Sequence, residues 1–173
     1  MTEKELRASW ETPSDFWCWV NGIFHFDLDA CASAENTKCA CWHVPYGSVP
    51  ETGSVIVDGL DGEWNIYTDR PTAVWCNPGY NNVAPWLQKA YEETQKHANM
   101  TACVLTHAGL GTRWFDRYIH RMDELWILNP RIQFIAPEGI KQTSNPRDSL
   151  LWVFRNSCSP TSMSSRIFYK HWE

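Results

Sequence analysis

The chain has no apolar run long enough to span a bilayer and no low-complexity stretch, which excludes membrane-spanning helices and disordered repeats as organising features. It also lacks a basic excess: 15 Lys and Arg face 20 Asp and Glu, for a net charge of -5. That balance argues against a generic nucleic-acid binder, because phosphate neutralisation by Lys and Arg supplies most non-specific affinity. Met1 to Arg7 is charged and has no apolar stretch ending in a small-residue cleavage site. No secretory signal is expected there, and the expected compartment is the cytoplasm. Cysteine numbers seven, which is odd, and without an export signal this predicts free thiols instead of a disulfide framework.

A length of 173 residues, 43% hydrophobic with 11 Trp, is enough for one substantial core, so a single domain over 1–173 is expected. Charge is segregated along it. Residues 1 to 100 hold six Lys or Arg against fourteen Asp or Glu, whereas 101 to 173 hold nine against six. An acidic half can hold a cofactor through its hydroxyls while a basic half meets phosphates.

Ser14 or Asp15 can cap a short helix with Phe16, Trp17, Trp19 and Val20 on its apolar face, stopped by Asn21-Gly22. Ile23 to Leu28, Val55 to Asp58 and Thr72 to Cys76 each read as a buried strand ending in a polar residue. Such strands suggest an open α/β sheet that binds ligands at its carboxyl edge. A helix is expected over 83–97, a strand over Thr101 to Thr106, a Thr112-capped helix with Trp114, Phe115, Tyr118 and Ile119, and a strand over Leu125 to Leu128. Ile132 to Ile135, Leu150 to Phe154 and Ile167 to Tyr169 read as strands with no helix between them, which predicts antiparallel hairpin pairing at one end of the sheet. The irregular stretch from Thr37 to Gly53 is the longest near the proposed site, and such loops often carry function.

Asn77-Pro78-Gly79-Tyr80 directly follows an apolar strand. It resembles the Asn/Asp-Pro-Pro-Tyr/Phe motif of amino-group methyltransferases. An adenine amine delocalises its lone pair into the ring, so it is a poor nucleophile until acceptors hold its N–H groups in a geometry that favours a tetrahedral nitrogen. The Asn77 side-chain oxygen and the Pro78 carbonyl can be those acceptors, and Tyr80 offers a face on which an extruded base can stack. On local rules alone, Asn-Pro-Gly is equally a turn.

The surrounding order of motifs resembles the phage-type DNA N6-adenine methyltransferase family. It runs Thr12-Pro13...Phe16, Phe26-Asp27-Leu28-Asp29-Ala30-Cys31-Ala32, Glu35-Asn36-Thr37-Lys38-Cys39, Asp58-Gly59-Leu60...Trp64 and Trp75 to Tyr80. It continues through Thr112-Arg113-Trp114-Phe115 and Arg131-Ile132-Gln133-Phe134 to Ser149 to Phe154, so it covers about residues 10 to 155. The resemblance implies a Rossmann-like class I methyltransferase sheet with helices on both faces, acting in the cytoplasm of a bacterial host or phage-infected cell. It implies S-adenosylmethionine as cofactor and DNA as substrate. Thr12, Pro13 and Phe16 would line the methionine end, and Asp29, Ala30 and Cys31 would form the first cofactor loop. Asn36, Asp58, Leu60 and Asn77 complete the implied cofactor set. A strand-end carboxylate such as Asp29 can accept from an ammonium or ribose hydroxyls, and Asp58 from an adenine amine. For each Asp, the alternative is a carboxylate that merely caps its own turn.

One departure from the family pattern is Gly79, where a second Pro is usual; Gly lacks the ring that stiffens the loop, so ordering it costs more entropy. Cys39-Ala40-Cys41-Trp42-His43 with Cys31 offers soft ligands, but not at the usual zinc spacing, so no metal is expected. Cys76 reads as a core thiol, not the nucleophile of a cytosine-C5 enzyme. Trp86 and Trp114 lie at helical spacing and read as core. Between the cofactor loops and Asn77 no separate target-recognition domain is expected, for lack of room. Base selection is therefore expected from the segment after 110, where Arg113, Arg117, Arg121, Arg131, Lys141 and Arg147 lie, or from a partner. Arg113, Arg131, Lys141 and Arg147 are the expected DNA contacts. Alternatives are cytosine-N4 transfer, a catalytically weak cofactor- or nucleic-acid-binding module of the same fold, and protein glutamine methylation.

Overall fold

The computed structural model describes residues 10–45, 58–156 and 166–172. Helix α1 (Ser14–Phe24) precedes strands β1 (Leu28–Asp29), β2 (Cys41–Trp42) and β3 (Thr72–Cys76). Helix α2 (Ala84–Lys96), β4 (Met100–His107), α3 (Arg113–Ile119), β5 (Glu124–Asn129), β6 (Ser149–Arg155) and β7 (Ile167–His171) follow. The strands form one seven-stranded sheet in the order β2-β1-β3-β4-β6-β5-β7. This is the α/β architecture expected of a Rossmann-like methyltransferase sheet.

Strand alternation sorts the side chains between two cores, because successive residues point to opposite faces. Val74, Cys76, Ala102, Val104, Leu150, Trp152 and Phe154 join Trp86, Leu87 and Ala90 of α2 and Tyr118 and Ile119 of α3. Trp75, Cys103, Leu105, Leu151 and Val153 face the other way, onto Phe16 and Val20 of α1. Helices therefore cover both faces. Trp86 is core, and Trp114 packs partly buried against the same cluster. The six described cysteines are free thiols.

Five expectations change. Helix α1 runs through Gly22 and ends at His25, whose φ is 54° and whose N–H reaches the Asn21 carbonyl. The Asn21 side chain accepts from Phe26 N–H at 2.8 Å, so Asn21 caps the helix end from within instead of stopping it. Ile23 and Phe24 are consequently spent on the last helical turn, and the strand expected over Ile23 to Leu28 shrinks to Leu28–Asp29. Ile132 to Ile135 is not a strand: Ile132 is buried and Gln133 exposed as alternation requires, but only Ile135 pairs, in an isolated antiparallel bridge with Glu11. Strand β2 emerges inside the segment read as irregular, pairing with β1 from the outer edge.

At the other end of the sheet, β6 runs antiparallel to both neighbours, β4 and β5, while β7 pairs parallel to β5. The antiparallel expectation holds for β6, but β7 makes no hairpin. Of the strand expected over Val55 to Asp58, residues 55–57 lie outside the described residues, and Asp58 forms a parallel bridge with Val44.

Candidate active site

Strands β1, β3 and β4 are mutually parallel, so Asp29, Cys76 and His107 finish at one edge of the sheet, where open α/β sheets place their ligands. Asn77, Pro78, Gly79 and Tyr80 leave β3 there and line a cavity of about 510 Å³. Phe134, Asn145, Arg147 and Trp10 line it as well. Sequence reading did not assign Trp10, Phe134 or Asn145 to the site; the only signal for Phe134 was its place in the Arg131 to Phe134 motif.

The Asn77 amide nitrogen donates to Thr12 Oγ1 at 3.0 Å. Its oxygen is thereby left for another donor. Thr12 is 3% exposed, and its place is set from both sides. Glu11 exchanges two backbone hydrogen bonds of 2.9 Å with Ile135, and Pro13 is the N-cap of α1. Lys38 further ties the Glu11 carboxylate down through an ion pair. Of the expected N-terminal group, Thr12 thus reaches Asn77. Phe16 lies fully buried, edge-on to Trp172 at 5.3 Å.

Tyr80 turns its ring towards His107, with centroids 5.2 Å apart, and meets Phe134 edge to face at 5.9 Å. Its hydroxyl points inward, close enough to Ser149 to feel that hydroxyl yet outside made hydrogen-bond geometry, and burial pushes its pKa well up. His107 Nδ1 and Ser149 Oγ are likewise buried without a partner. His107 and Ser149 are register partners across β4 and β6, so three orphan polar groups gather behind the Tyr80 ring. Burial first, and then the positive charge of Arg147, hold the His107 pKa below its usual value and keep the ring neutral.

The expected cofactor residues form a second group beside the cavity, along β1 and the 58–64 loop. Asp29 is buried, and its carboxylate accepts from Lys38 N–H at 3.1 Å and Cys31 N–H at 3.4 Å. Desolvation raises its pKa to about 6, opposed by those two N–H groups and the Lys38 charge. Asp58 accepts from Leu60 N–H at 2.8 Å, and Asn36 from Ser33 N–H at 2.7 Å. Each therefore caps its own loop with part of its acceptor capacity. Ala30 donates to the Trp75 carbonyl at 2.8 Å, which couples this loop to the strand that carries Asn77. Gly59 lies so close that a Cβ there would stand 2.0 Å from the Ala30 carbonyl oxygen. Behind it, Trp64 N–H binds the fully buried Glu93 carboxylate at 3.0 Å, and its indole N–H binds the Gly59 carbonyl at 2.7 Å.

Cys76 is fully buried, and burial drives its thiol pKa far up, so it is a core thiol with no thiolate to attack a pyrimidine. Arg113, Arg131, Lys141 and Arg147 are all exposed. Only Arg147 lines the cavity. Arg131 is paired with Asp148 at 2.6 Å, and Arg113 opens α3. The loop from β5 to β6 that carries Arg131, Lys141 and Arg147 is held by its own amides. Gln142 donates to the Phe134 carbonyl at 2.7 Å, and Asn145 to the Ile132 carbonyl at 3.0 Å.

The chain is 29% identical over 174 residues to a DNA N-6-adenine-methyltransferase of Haemophilus phage HP1, covering 98% of this chain and 91% of the relative. It is 26% identical over 171 residues to a DNA N-6-adenine-methyltransferase of Escherichia phage T1, covering 89% of this chain and 65% of that relative. The model of the DNA N-6-adenine-methyltransferase (Dam) family matches residues 1–170. With that match spanning nearly every residue, the β3 edge and its Asn-Pro-Gly-Tyr loop included, the chain belongs to the DNA N-6-adenine-methyltransferase family.

Proposed function

We propose that the protein transfers a methyl group from S-adenosylmethionine to the exocyclic N6 amine of adenine in DNA. The observation that carries this reading is Asn77: at the carboxyl end of β3 it faces a base-sized cavity with its amide nitrogen engaged by Thr12 and its oxygen available. With the Pro78 carbonyl, that oxygen makes a pair of acceptors for the two N–H groups of an adenine amine. Accepting both hydrogens localises the nitrogen lone pair, so that the N–C bond forms as the S–C bond of the sulfonium breaks, and the methylated nitrogen then loses one proton to solvent. Tyr80 and Phe134 supply aromatic surface for an extruded base. Arg147 at the cavity rim, with Lys141 and Arg113, offers phosphate contacts.

S-adenosylmethionine supplies a sulfonium-bound methyl group that is displaced directly. The residues present fit it, because its ammonium, ribose hydroxyls and adenine amine are donors while the β1 edge is rich in acceptors. Asp29 and Asp58 spend only part of their lone pairs on their own loops. Asp29, Ala30, Cys31 and Asn36 would hold one end, Asp58 and Leu60 the adenine, and Pro13, next to Thr12, would shape the wall nearest Asn77. One domain then carries both cofactor and base.

The test is incubation with methyl-labelled cofactor and single- or double-stranded DNA, followed by digestion to nucleosides. Label in N6-methyl-2′-deoxyadenosine, lost in Asn77→Ala while S-adenosylhomocysteine still binds, is the expected result. Label in N4-methylcytosine, or in no nucleoside, refutes it.

A further inference from the structure

We infer that Trp64 is a positioning residue for the cofactor: its indole and backbone N–H groups lock the Asp58-Gly59-Leu60 turn onto helix α2 in the conformation that presents Asp58. The inference rests on the S-adenosylmethionine reading above and gives a role to a residue outside the implied cofactor set.

The contacts made by Asp58 close the turn on itself. Its carboxylate accepts from Leu60 N–H at 2.8 Å and its carbonyl from Gly62 N–H at 2.7 Å. Neither bond fixes where the turn lies on the sheet. That placement comes from Gly59, both of whose peptide groups reach partners beyond the turn. The Gly59 N–H donates to the Val44 carbonyl at 2.8 Å, and the Gly59 carbonyl accepts from the Trp64 indole N–H at 2.7 Å. A Cβ at position 59 would also stand 2.9 Å from the Trp86 ring and 2.0 Å from the Ala30 carbonyl oxygen. The two loops proposed to hold the cofactor thus touch backbone to backbone, and any shift of Gly59 moves Asp58 relative to Asp29.

Trp64 is held in turn by α2. Fully buried itself, it donates its backbone N–H at 3.0 Å to the carboxylate of Glu93, which is fully buried too. Lys89 and Lys96 each donate to the other oxygen of that carboxylate at 2.9 Å. Burial opposes the Glu93 charge, but the Trp64 N–H and the two ammonium groups outweigh it and hold the carboxyl below its usual pKa. Each link in this chain has one direction. An indole N–H and a backbone N–H only donate, whereas a carbonyl and an ionised carboxylate only accept, so no rotation satisfies the chain in reverse. The same helix follows the Asn77 to Tyr80 loop, so cofactor turn and base loop are fastened to a common frame. The ordering is done in folding and not at the moment of binding.

The test is Trp64→Phe, which keeps a ring in the core and leaves the Gly59 carbonyl without its donor. The turn then occupies conformations that do not present Asp58, and the apparent affinity falls with the competent fraction. The Kd for S-adenosylhomocysteine, measured by calorimetry, should rise about tenfold, with KM for the cofactor rising and kcat at saturating cofactor unchanged. Trp152→Phe is the matched control, because it removes an equally buried indole, bonded to Thr106 Oγ1 at 2.9 Å; it should leave that Kd as it is. An unchanged Kd in Trp64→Phe overturns the inference. An equal rise in Trp152→Phe does so as well, since the effect would then be a general loosening of the core. Wild-type protein that binds no S-adenosylhomocysteine brings down the proposed cofactor site instead, which separates the two failures. Amide hydrogen exchange in ligand-free wild-type protein needs no variant to fold. The Gly59 and Trp64 amide protons should exchange slowly there, and exchange at the rate of an open loop also overturns the inference.

Discussion

Tyr80 and Phe134 meet edge to face with ring centroids 5.9 Å apart, although one belongs to the loop that leaves β3 and the other to the chain beyond β5. Their juxtaposition gives the cavity an aromatic corner, and the Tyr80 hydroxyl takes no part in it, being turned inward without a partner. Phe134→Ala should weaken DNA binding, seen as a rise in KM of about 10- to 100-fold, the scale of one base–aromatic stack. Tyr80→Phe should keep its activity and gain about 1 kcal/mol of stability, since it removes a buried hydroxyl that lacks a hydrogen bond. Steady-state kinetics and urea unfolding check the pair. A Tyr80→Phe variant that loses catalysis would assign chemistry to the hydroxyl.

An Asp carboxyl ordinarily titrates at 3.8, whereas that of Asp29 titrates at about 6 in the fold, chiefly because burial penalises its charge. The folded state therefore holds this proton more tightly than the unfolded chain. Its stabilising contribution is complete below the unfolded pKa and disappears as pH rises through about 6. The change is on the order of 3 kcal/mol. Urea unfolding of the ligand-free protein across this range, compared with Asp29→Asn, should show wild-type losing stability relative to the variant as pH increases. Parallel curves would mean that folding leaves the Asp29 pKa unshifted.

Gly79 replaces the second Pro of the family motif without a conformational reason. Among the described glycines the one with positive φ is Gly139, at 79°, so position 79 lies in backbone territory open to other residues. Gly79→Pro should fold, add roughly 0.4–1 kcal/mol of stability by restricting the unfolded chain, and keep or raise kcat. Thermal denaturation and methyl-transfer rates decide it; a sharp loss of both would mean that the loop needs the freedom of glycine.

Arg147 lines the cavity and has no carboxylate partner among the described residues, whereas Arg131 already shares its charge with Asp148. Arg147→Ala should reduce the dependence of log affinity on log salt by about one contact. Lys141→Ala should act similarly and Arg131→Ala less. Binding titrations at several salt concentrations test the ranking, and an Arg131→Ala effect as large as that of Arg147→Ala contradicts it.

The repeating elements were legible because their periodicity is local. Helix α2, strands β3 to β6 and the Thr112 cap follow from spacing and capping chemistry, and Thr112 Oγ1 does accept from Phe115 N–H at 3.3 Å. Asn77 was legible because its chemistry demands a particular residue after a strand. What escaped depends on distant partners. Ile132 to Ile135 alternates like a strand, but with only Glu11 beside Ile135 it builds no ladder. Gly22 read as a stop, yet the αL turn at His25 and the Asn21 side chain end the helix later. Nothing near Phe134 in the chain signals Tyr80, and nothing near Thr12 signals Asn77, since proximity across the fold leaves no local pattern.

Phe16, on the first helix, seats edge-on against Trp172, just past the last strand. During synthesis, α1 leaves the ribosome ahead of all seven strands and must wait for them and for Trp172 before this seat exists. The contacts that hold Thr12 beside Asn77 depend on the same helix. Binding competence should therefore arise late in folding, when an exposed Trp- and Phe-rich helix finally docks, and until then that helix is the surface most in need of a chaperone's protection.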